Sequence, residues 1–511
     1  MNILASKRAF FAGILLLGLL AMTARSATDP DLWWHLSTGQ WIVEHAHVPH
    51  TDPFSFTRSG SPWVSHEWLS DITLFELRNH GGPSALIIFS AIITTCGFLL
   101  LYLRTPGKSH WAAAATVLGA WASAPSWGAR PQMFTFTLAS LLLWLLERGE
   151  RRPLLLLWIP PLFLLWLNLH AGFALGPALL LLYAVGLIFE TATGTTPWRE
   201  ARLTILRVVL VTLACMALVP LNPSGAELYR YPLDTLRSHG MRTYIVEWFS
   251  PDFHRPLYFP LLLVFILLIV SFAVSRSPLK GRVLLPLLFT AIAAFDAVRH
   301  IPIFILLAIP VIAATLDSYS TSAALATQPS SSQRRGRIFF NPITLVLLAF
   351  FALFRWISLA HNQPATEAAL FPEKAVTFLQ ANPQSQRAFI FYDWGGYAIW
   401  KLHPEYLVFA DGRADLYGDA LLRDCIQTVI HLHLGWEKVL DNYSVQTILI
   451  PPNTALAQAL LLNPKWTPRY RDPQAVVFVR RNTSPAGMTD NSPTASMGNS
   501  RGAAAKSRRG G

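Results

Sequence analysis

Ionisable side chains crowd the first polar stretch of this sequence. Asp29 and Asp31 fall in DPDLWWHLSTGQWI, Asp52 in TDPFSFT, and His66 and Glu67 in HEWL. Further along, Arg130 in GARPQ, His170 in NLHAGF, Glu247 in IVEWFSPDF, and Arg299 and His300 in FDAVRHIP each stand where an apolar run ends. Acids, imidazoles and guanidinium groups at that depth add little to the stability of a helix bundle, and they are expected where a membrane-held substrate reacts. The chemistry these types offer is a carboxylate that takes a proton from a nucleophile, facing cations that receive the charge of a departing anion.

The two leading acids differ in their surroundings. Asp29 precedes Pro30 and reads as a helix cap, which explains it without chemistry. Asp31 falls in the first helical turn, one turn before His35 and on its face, so it is the candidate base or metal ligand. Taken singly, Asp52 before Pro53 suits a turn, and Arg130 or Arg299 suits a headgroup contact. Convergence of the set on one face is what points to a site. Sharper motifs are absent: HEWLS has no second His four positions on, so a zinc-protease helix is not supported. His45, His47 and His50 have no acidic or Cys partner at ligand spacing. Neither GxSxG nor GxxxxGK[ST] is present, which removes the commonest serine hydrolases and a nucleotide-driven pump.

The elements that must position these residues are membrane helices. The chain has 511 residues, 52% hydrophobic and only 14% charged, and apolar runs recur along its first 360 positions. They lie at 9–24, 84–103, 111–125, 133–146, 154–168, 172–189, 208–221, 257–275, 283–298, 301–316 and 338–359, about eleven spans. Small residues follow the first run, but a cleavage there would place Arg25 at the minus-three position, so an uncleaved anchor is expected. The formal net charge of +12 sits mostly in the connections: Arg104 and Lys108; Arg148, Arg151 and Arg152; Arg199, Arg202 and Arg207; Arg276, Lys280 and Arg282; Arg334, Arg335 and Arg337. Every second connection is basic, which is a topology signal and argues against nucleic acid as a partner. The expected arrangement is a plasma-membrane protein with a cytoplasmic N-terminus, a large first outer loop (25–83), and everything beyond the last span outside. Within that loop, 31–45 and 62–79 read as amphipathic helices on the membrane surface.

From about 361 to 481 the composition turns soluble. The runs AFIFY, YLVFA, TILIPP and AVVFV alternate with helical stretches, which predicts a small α/β domain. Residues 317–337 read as a flexible inner loop and 482–511 as a disordered tail. Cys96, Cys215 and Cys425 show no pairing or metal-ligand spacing.

This layout resembles the GT-C superfamily of membrane glycosyltransferases, and DPDLWWHLSTGQWI, TDPFSFT, HEWL, RPQMFTF and RHIPIF resemble bacterial proteins described as glycosyltransferase-like. The resemblance implies an acid opening the first outer loop, an outer C-terminal domain, and a polyprenyl-phosphate-linked sugar as donor. A second resemblance, YDWGGYAIWKLHPEYLVFADGRADLYGD, is to the WWDYGY region of oligosaccharyltransferase catalytic subunits. It implies acceptor binding at Asp393 and Trp394, although the double Trp before the acid is missing here. A structural reading stands beside it: Gly395, Gly396, Asp411 and Gly412 suit tight turns.

The expectation is therefore an inverting transfer of a sugar to a glycan, lipid or protein acceptor on the outer face. Asp31, Asp29, Asp52, His66 and Glu67 are the candidate catalytic groups. Arg130, His170, Arg299 and His300 are placed for the donor phosphate, and Asp393, Trp394 and Glu247 for the acceptor. A divalent metal, Mg or Mn, held by the loop acids is left open. The alternatives are a flippase for lipid-linked glycans, which internal repeats and broken paired spans would favour, and a silent scaffold that only binds glycan or peptide.

Overall fold

The computed structural model describes residues 7–275, 278–323 and 331–481. Each of the eleven apolar runs is helical: Lys7–Thr23, Trp68–Arg104, Ser109–Ser123, Gln132–Gly149, Ile159–Leu169, Leu175–Ala192, Trp198–Leu218, Phe259–Val274, Gly281–Asp296, Ile301–Ala323 and Ser331–Leu370. Among the described residues, six helical stretches are long and apolar enough to cross a membrane. Others, such as Ala9–Thr23 and Pro153–Leu169, are apolar but shorter. A helix satisfies its own backbone, so these segments can meet hydrocarbon on one side and each other on the other. Phe98, Phe136, Trp166 and Phe304 fill the bundle interior. Ile266, Ile269, Phe350 and Phe354 point outward, an apolar surface that suits lipid and not water.

Helix boundaries differ from the sequence reading in two places. The helix expected at 62–79 begins only at Trp68, then runs on through Arg104 with a break at Gly82, whose φ of 63° no Cβ-bearing residue adopts easily, followed by Pro83. Residues 62–67 are consequently free to carry His66 and Glu67 on irregular backbone. The expected loop at 317–337 is shorter, because helices extend to Ala323 and start again at Ser331; residues 324–330 and the expected tail at 482–511 lie outside the described residues.

The C-terminal part is a five-stranded sheet, β1 Arg387–Ile390, β2 Leu407–Val408, β3 Thr447–Ile450, β4 Trp466–Arg471 and β5 Val476–Arg480, in the order β2-β1-β3-β5-β4. β1 runs parallel to β2 and β3, and β5 is antiparallel to β3 and β4. Central β3 is buried throughout, which is why it reads as a continuous apolar run. β4 has an exposed side and a polar sequence, as an edge strand should.

The first loop and this sheet pack as one body. Residues 54–56 lie parallel to β2: Val408 N–H donates to Phe54 O at 3.1 Å, and Phe56 N–H donates to Val408 O at 3.2 Å. The helix Leu32–His45, expected on the membrane surface, is instead roofed by the sheet domain. Trp33 meets Tyr397 edge-on at 5.0 Å and Phe371 at 5.3 Å, and Leu36 is buried beside them. Gly396 permits this approach, since a Cβ there would press on Pro30 O and Trp34 N. Gly396 therefore serves packing against the first loop, while Gly395 lies against Ala410 and Asp411 within the sheet domain.

Candidate active site

Where the bundle ends under the sheet domain there is a cavity of about 730 Å³. The turn before Leu32 lines it with Asp29 and Asp31, the stretch before Trp68 with His66 and Glu67, and the bundle with Arg130, His170 and Arg299. The loop before Phe259 adds Glu247, and the sheet domain adds Asp393, Gly412 and Asp415.

One wall is built on two guanidinium groups. Arg130 precedes the Pro131 that opens the helix Gln132–Gly149, and Arg299 lies in the tight turn Val298–His300 before the helix Ile301–Ala323. Gln132 Nε2 donates to Arg299 O at 3.1 Å and ties the two helix starts together. Arg130 reaches three acids: Nε is 3.4 Å from Asp29 Oδ2, Nη1 3.8 Å from Asp31 Oδ2, and Nη2 2.8 Å from Glu247 Oε2. The other Glu247 oxygen is 3.0 Å from Arg299 Nη1, and Arg299 lies over the Trp248 ring at 4.4 Å. Burial works to raise the Glu247 carboxyl, but Arg299 and Arg130 outweigh it and hold it at about 2.

The helix starts at Leu32, so Asp31 is the residue at its N-cap, where Asp29 was expected, and the Asp31 side chain caps no amide. Asp29 Oδ1 accepts from the Asp31 amide at 3.0 Å, fixing the turn that starts the helix. Among the described residues Asp31 accepts only a long contact from Trp34 Nε1, at 3.4 Å. Its side chain is about a third exposed and lines the cavity. Burial first, and then the charge of Asp29, raise it to about 7 against the pull of Arg130. Gly412 of the sheet domain abuts it so closely that a Cβ there would collide with Asp31 Oδ1.

The other wall is a carboxylate among three imidazoles. Glu67 lies 3.3 Å from His66 Nε2, 3.6 Å from His170 Nε2 and 3.7 Å from His35 Nε2, and accepts from the Ala171 amide at 3.3 Å. Burial opposes its charge, yet His170, His66 and His35 hold it well below the usual carboxylate range. His35 does not bond Asp31; its Nδ1 is 2.6 Å from Asp71 Oδ1. His170 Nδ1 accepts from Gly172 N at 2.9 Å, which leaves its proton on Nε2, facing Glu67. Burial pushes His170 down to about 4, so that ring is neutral near pH 7.

Three expected site residues lie elsewhere or face differently. Asp52 is fully buried away from the cavity. It accepts from Phe54 N and Ser55 N, both at 3.1 Å, and from Arg413 Nη1 at 2.8 Å, and Arg413 in turn grips Asp411 at 2.7 and 2.8 Å. His300 turns Nδ1 toward Ala293 O at 3.1 Å, outside the cavity wall. Trp394 is buried, with Nε1 donating to Leu370 O at 3.0 Å, so its ring offers no open stacking face. Asp393 does reach the cavity and is exposed at its rim. The sequence reading missed Asp71 and Asp415 and took Gly412 only as a turn residue; Asp71 left a trace, as an acid four positions after Glu67 on an otherwise amphipathic helix.

A divalent metal was left open. Among the described residues no three His, Cys, Asp or Glu side chains are grouped to hold one. Asp29, Asp31 and Glu247 all turn to Arg130, so the acids as arranged do not form a donor set.

In overall structure the chain is similar to the archaeal oligosaccharyltransferase AglB from Archaeoglobus fulgidus, solved with an inhibitory peptide and a dolichol-phosphate: TM-score 0.54, 12% identity, covering 86% of this chain and 68% of that one. The apo form of the Archaeoglobus fulgidus oligosaccharyltransferase matches with TM-score 0.51, 12% identity, and 87% and 70% coverage. The chain carries the GT-C fold. No protein-family profile and no curated protein matches the sequence. At this identity the likeness speaks for the fold alone.

Proposed function

We propose that this protein is a lipid-linked-sugar glycosyltransferase, moving a hexose or pentose from a polyprenyl-phosphate carrier to a glycan, lipid or protein acceptor. The observation that carries the reading is Asp31. It is a cavity carboxylate poised near neutrality, it is adjacent to the Arg130 and Arg299 pair, and it lies within a GT-C fold. Asp31 takes the proton of the acceptor O–H or N–H as that atom bonds to the sugar C1. The C1–O bond to the phosphate breaks on the opposite side, its electron pair stays on the phosphate, and the anomeric configuration inverts. Arg130 and Arg299 receive the phosphate charge, while neutral His170 lines the same cavity with its Nε2–H turned to Glu67. Asp29 positions Asp31, Glu67 orients His66 and His170, and Asp393 at the rim faces the acceptor. The basic connections support a plasma-membrane location, a cytoplasmic N-terminus, and a reaction on the outer face.

The deciding experiment uses purified full-length protein with a radiolabelled polyprenyl-phosphate sugar and a panel of acceptors. Transfer that is lost in Asp31→Asn, with unchanged folding and membrane level, supports the reading. Translocation of the labelled lipid across vesicles without bond cleavage would replace it with the flippase.

A further inference from the structure

Several acids outside the cavity are held by backbone amides. Asp52 has those of Phe54 and Ser55, Asp419 those of His239 and Gly240, and Asp472 those of Gln474 and Ala475. Glu247 is different. Among the described residues its carboxylate takes no backbone amide and no neutral donor; one oxygen faces Arg130 at 2.8 Å and the other Arg299 at 3.0 Å. The backbone beneath it is secured independently: Trp248 N–H donates to Ile245 O at 2.9 Å, Val298 N–H donates to Phe249 O at 3.0 Å, and Trp248 is buried. Side-chain rotation alone can therefore release the carboxylate without unfolding the turn. Arg130 would keep Asp29 and Asp31, whereas Arg299 has no other carboxylate among the described residues.

Two guanidinium groups bridged by two oxygens of one anion is also the geometry in which a phosphate is held. We propose that Glu247 is a built-in, exchangeable occupant of the phosphate site: it bridges Arg130 and Arg299, gives way to the phosphate of the lipid, and afterwards competes to expel it. The consequence is chemical. The donor is a phosphodiester with one negative charge, whereas the lipid released by transfer is a phosphate monoester with up to two. A bare arginine pair would hold that product more tightly than the donor, and a returning carboxylate counters this. The inference rests on the reading of Arg130 and Arg299 as the phosphate site.

The test measures binding and dissociation of farnesyl phosphate, a soluble short-chain monoester, to the detergent-solubilised full chain. Tryptophan fluorescence reports it, since Trp248 lies against Arg299. Glu247→Gln removes the competing charge and is expected to bind about tenfold tighter or more, mostly through slower dissociation. Glu247→Asp keeps the charge but is one methylene too short to bridge both guanidinium groups, so it should also bind tighter, about threefold or more. A Glu247→Asp affinity equal to wild type would reduce Glu247 to background charge and overturn the exchange. Arg299→Ala should lose binding in every background. Unchanged binding in Arg299→Ala would instead refute the phosphate site itself, so the two failures are told apart. Matched circular dichroism and unfolding curves decide whether each variant is folded.

Discussion

Replacing Asp52 by Asn separates a structural acid from a catalytic one. One carboxylate oxygen accepts from Arg413 and Phe54 N, the other from Ser55 N and the Ser55 hydroxyl. Every neighbour is a donor, so whichever way the amide turns, its NH₂ meets donors. Breaking a buried ion pair by removing one partner costs about 3–5 kcal/mol. Here the lower end applies, because Arg413 keeps both bonds to Asp411 and its place over Trp63 at 4.6 Å. A loss of about 3 kcal/mol corresponds to roughly a 150-fold larger opening constant. It should appear locally, where residues 54–56 pair with β2, as roughly 150-fold faster hydrogen exchange at the Phe56 and Val408 amides, with the bundle helices unaffected. Sugar transfer, assayed at a temperature where the fold is intact, should keep most of its rate. Unchanged exchange would refute the energetic reasoning. Loss of transfer with intact protection would return Asp52 to the chemistry.

Asp31→Asn should abolish transfer while Asp29→Asn, whose side-chain oxygen can still accept from the Asp31 amide, retains part of it. In the wild type the rate should climb about tenfold per pH unit below 7 and level off above, because Asp31 acts as a base only once it has lost its proton; a flat profile from pH 5 to 8 would contradict this. Gly412→Ala should displace Asp31 and lower kcat tenfold or more with little change in thermal stability, read from initial rates beside unfolding curves. Trp394→Ala should destabilise the sheet domain by about 3–5 kcal/mol and weaken donor and acceptor use together, measured by denaturation and by separate KM values. Topology reporters fused after Lys280 and after Arg481 should report opposite sides of the membrane, and agreement between them would refute the three crossings assigned between those points.

Much of the fold was legible because membrane helices and buried strands are encoded locally. A run of apolar residues is helical in lipid whatever lies beside it, so all eleven runs proved helical, and AFIFY, YLVFA, TILIPP and AVVFV each supplied a strand. The polar edge strand β4 left no such mark, and neither did the late start of the helix at Trp68, where tertiary packing overrode an amphipathic pattern. At the site, the sequence alone identified the acids of the first loop and the arginines at the helix ends as costly residues that need a purpose. It could not assign partners. Asp52 and Arg413 stand 361 positions apart and Arg130 and Glu247 more than a hundred, and only the docking of the sheet domain onto the first loop decides which acid meets a cation. That docking drew Asp52 into a buried ion pair, turned Trp394 into core, and left Asp31 on the cavity wall: a charge's solvation and neighbours, which set its chemistry, are properties of packing and not of local sequence.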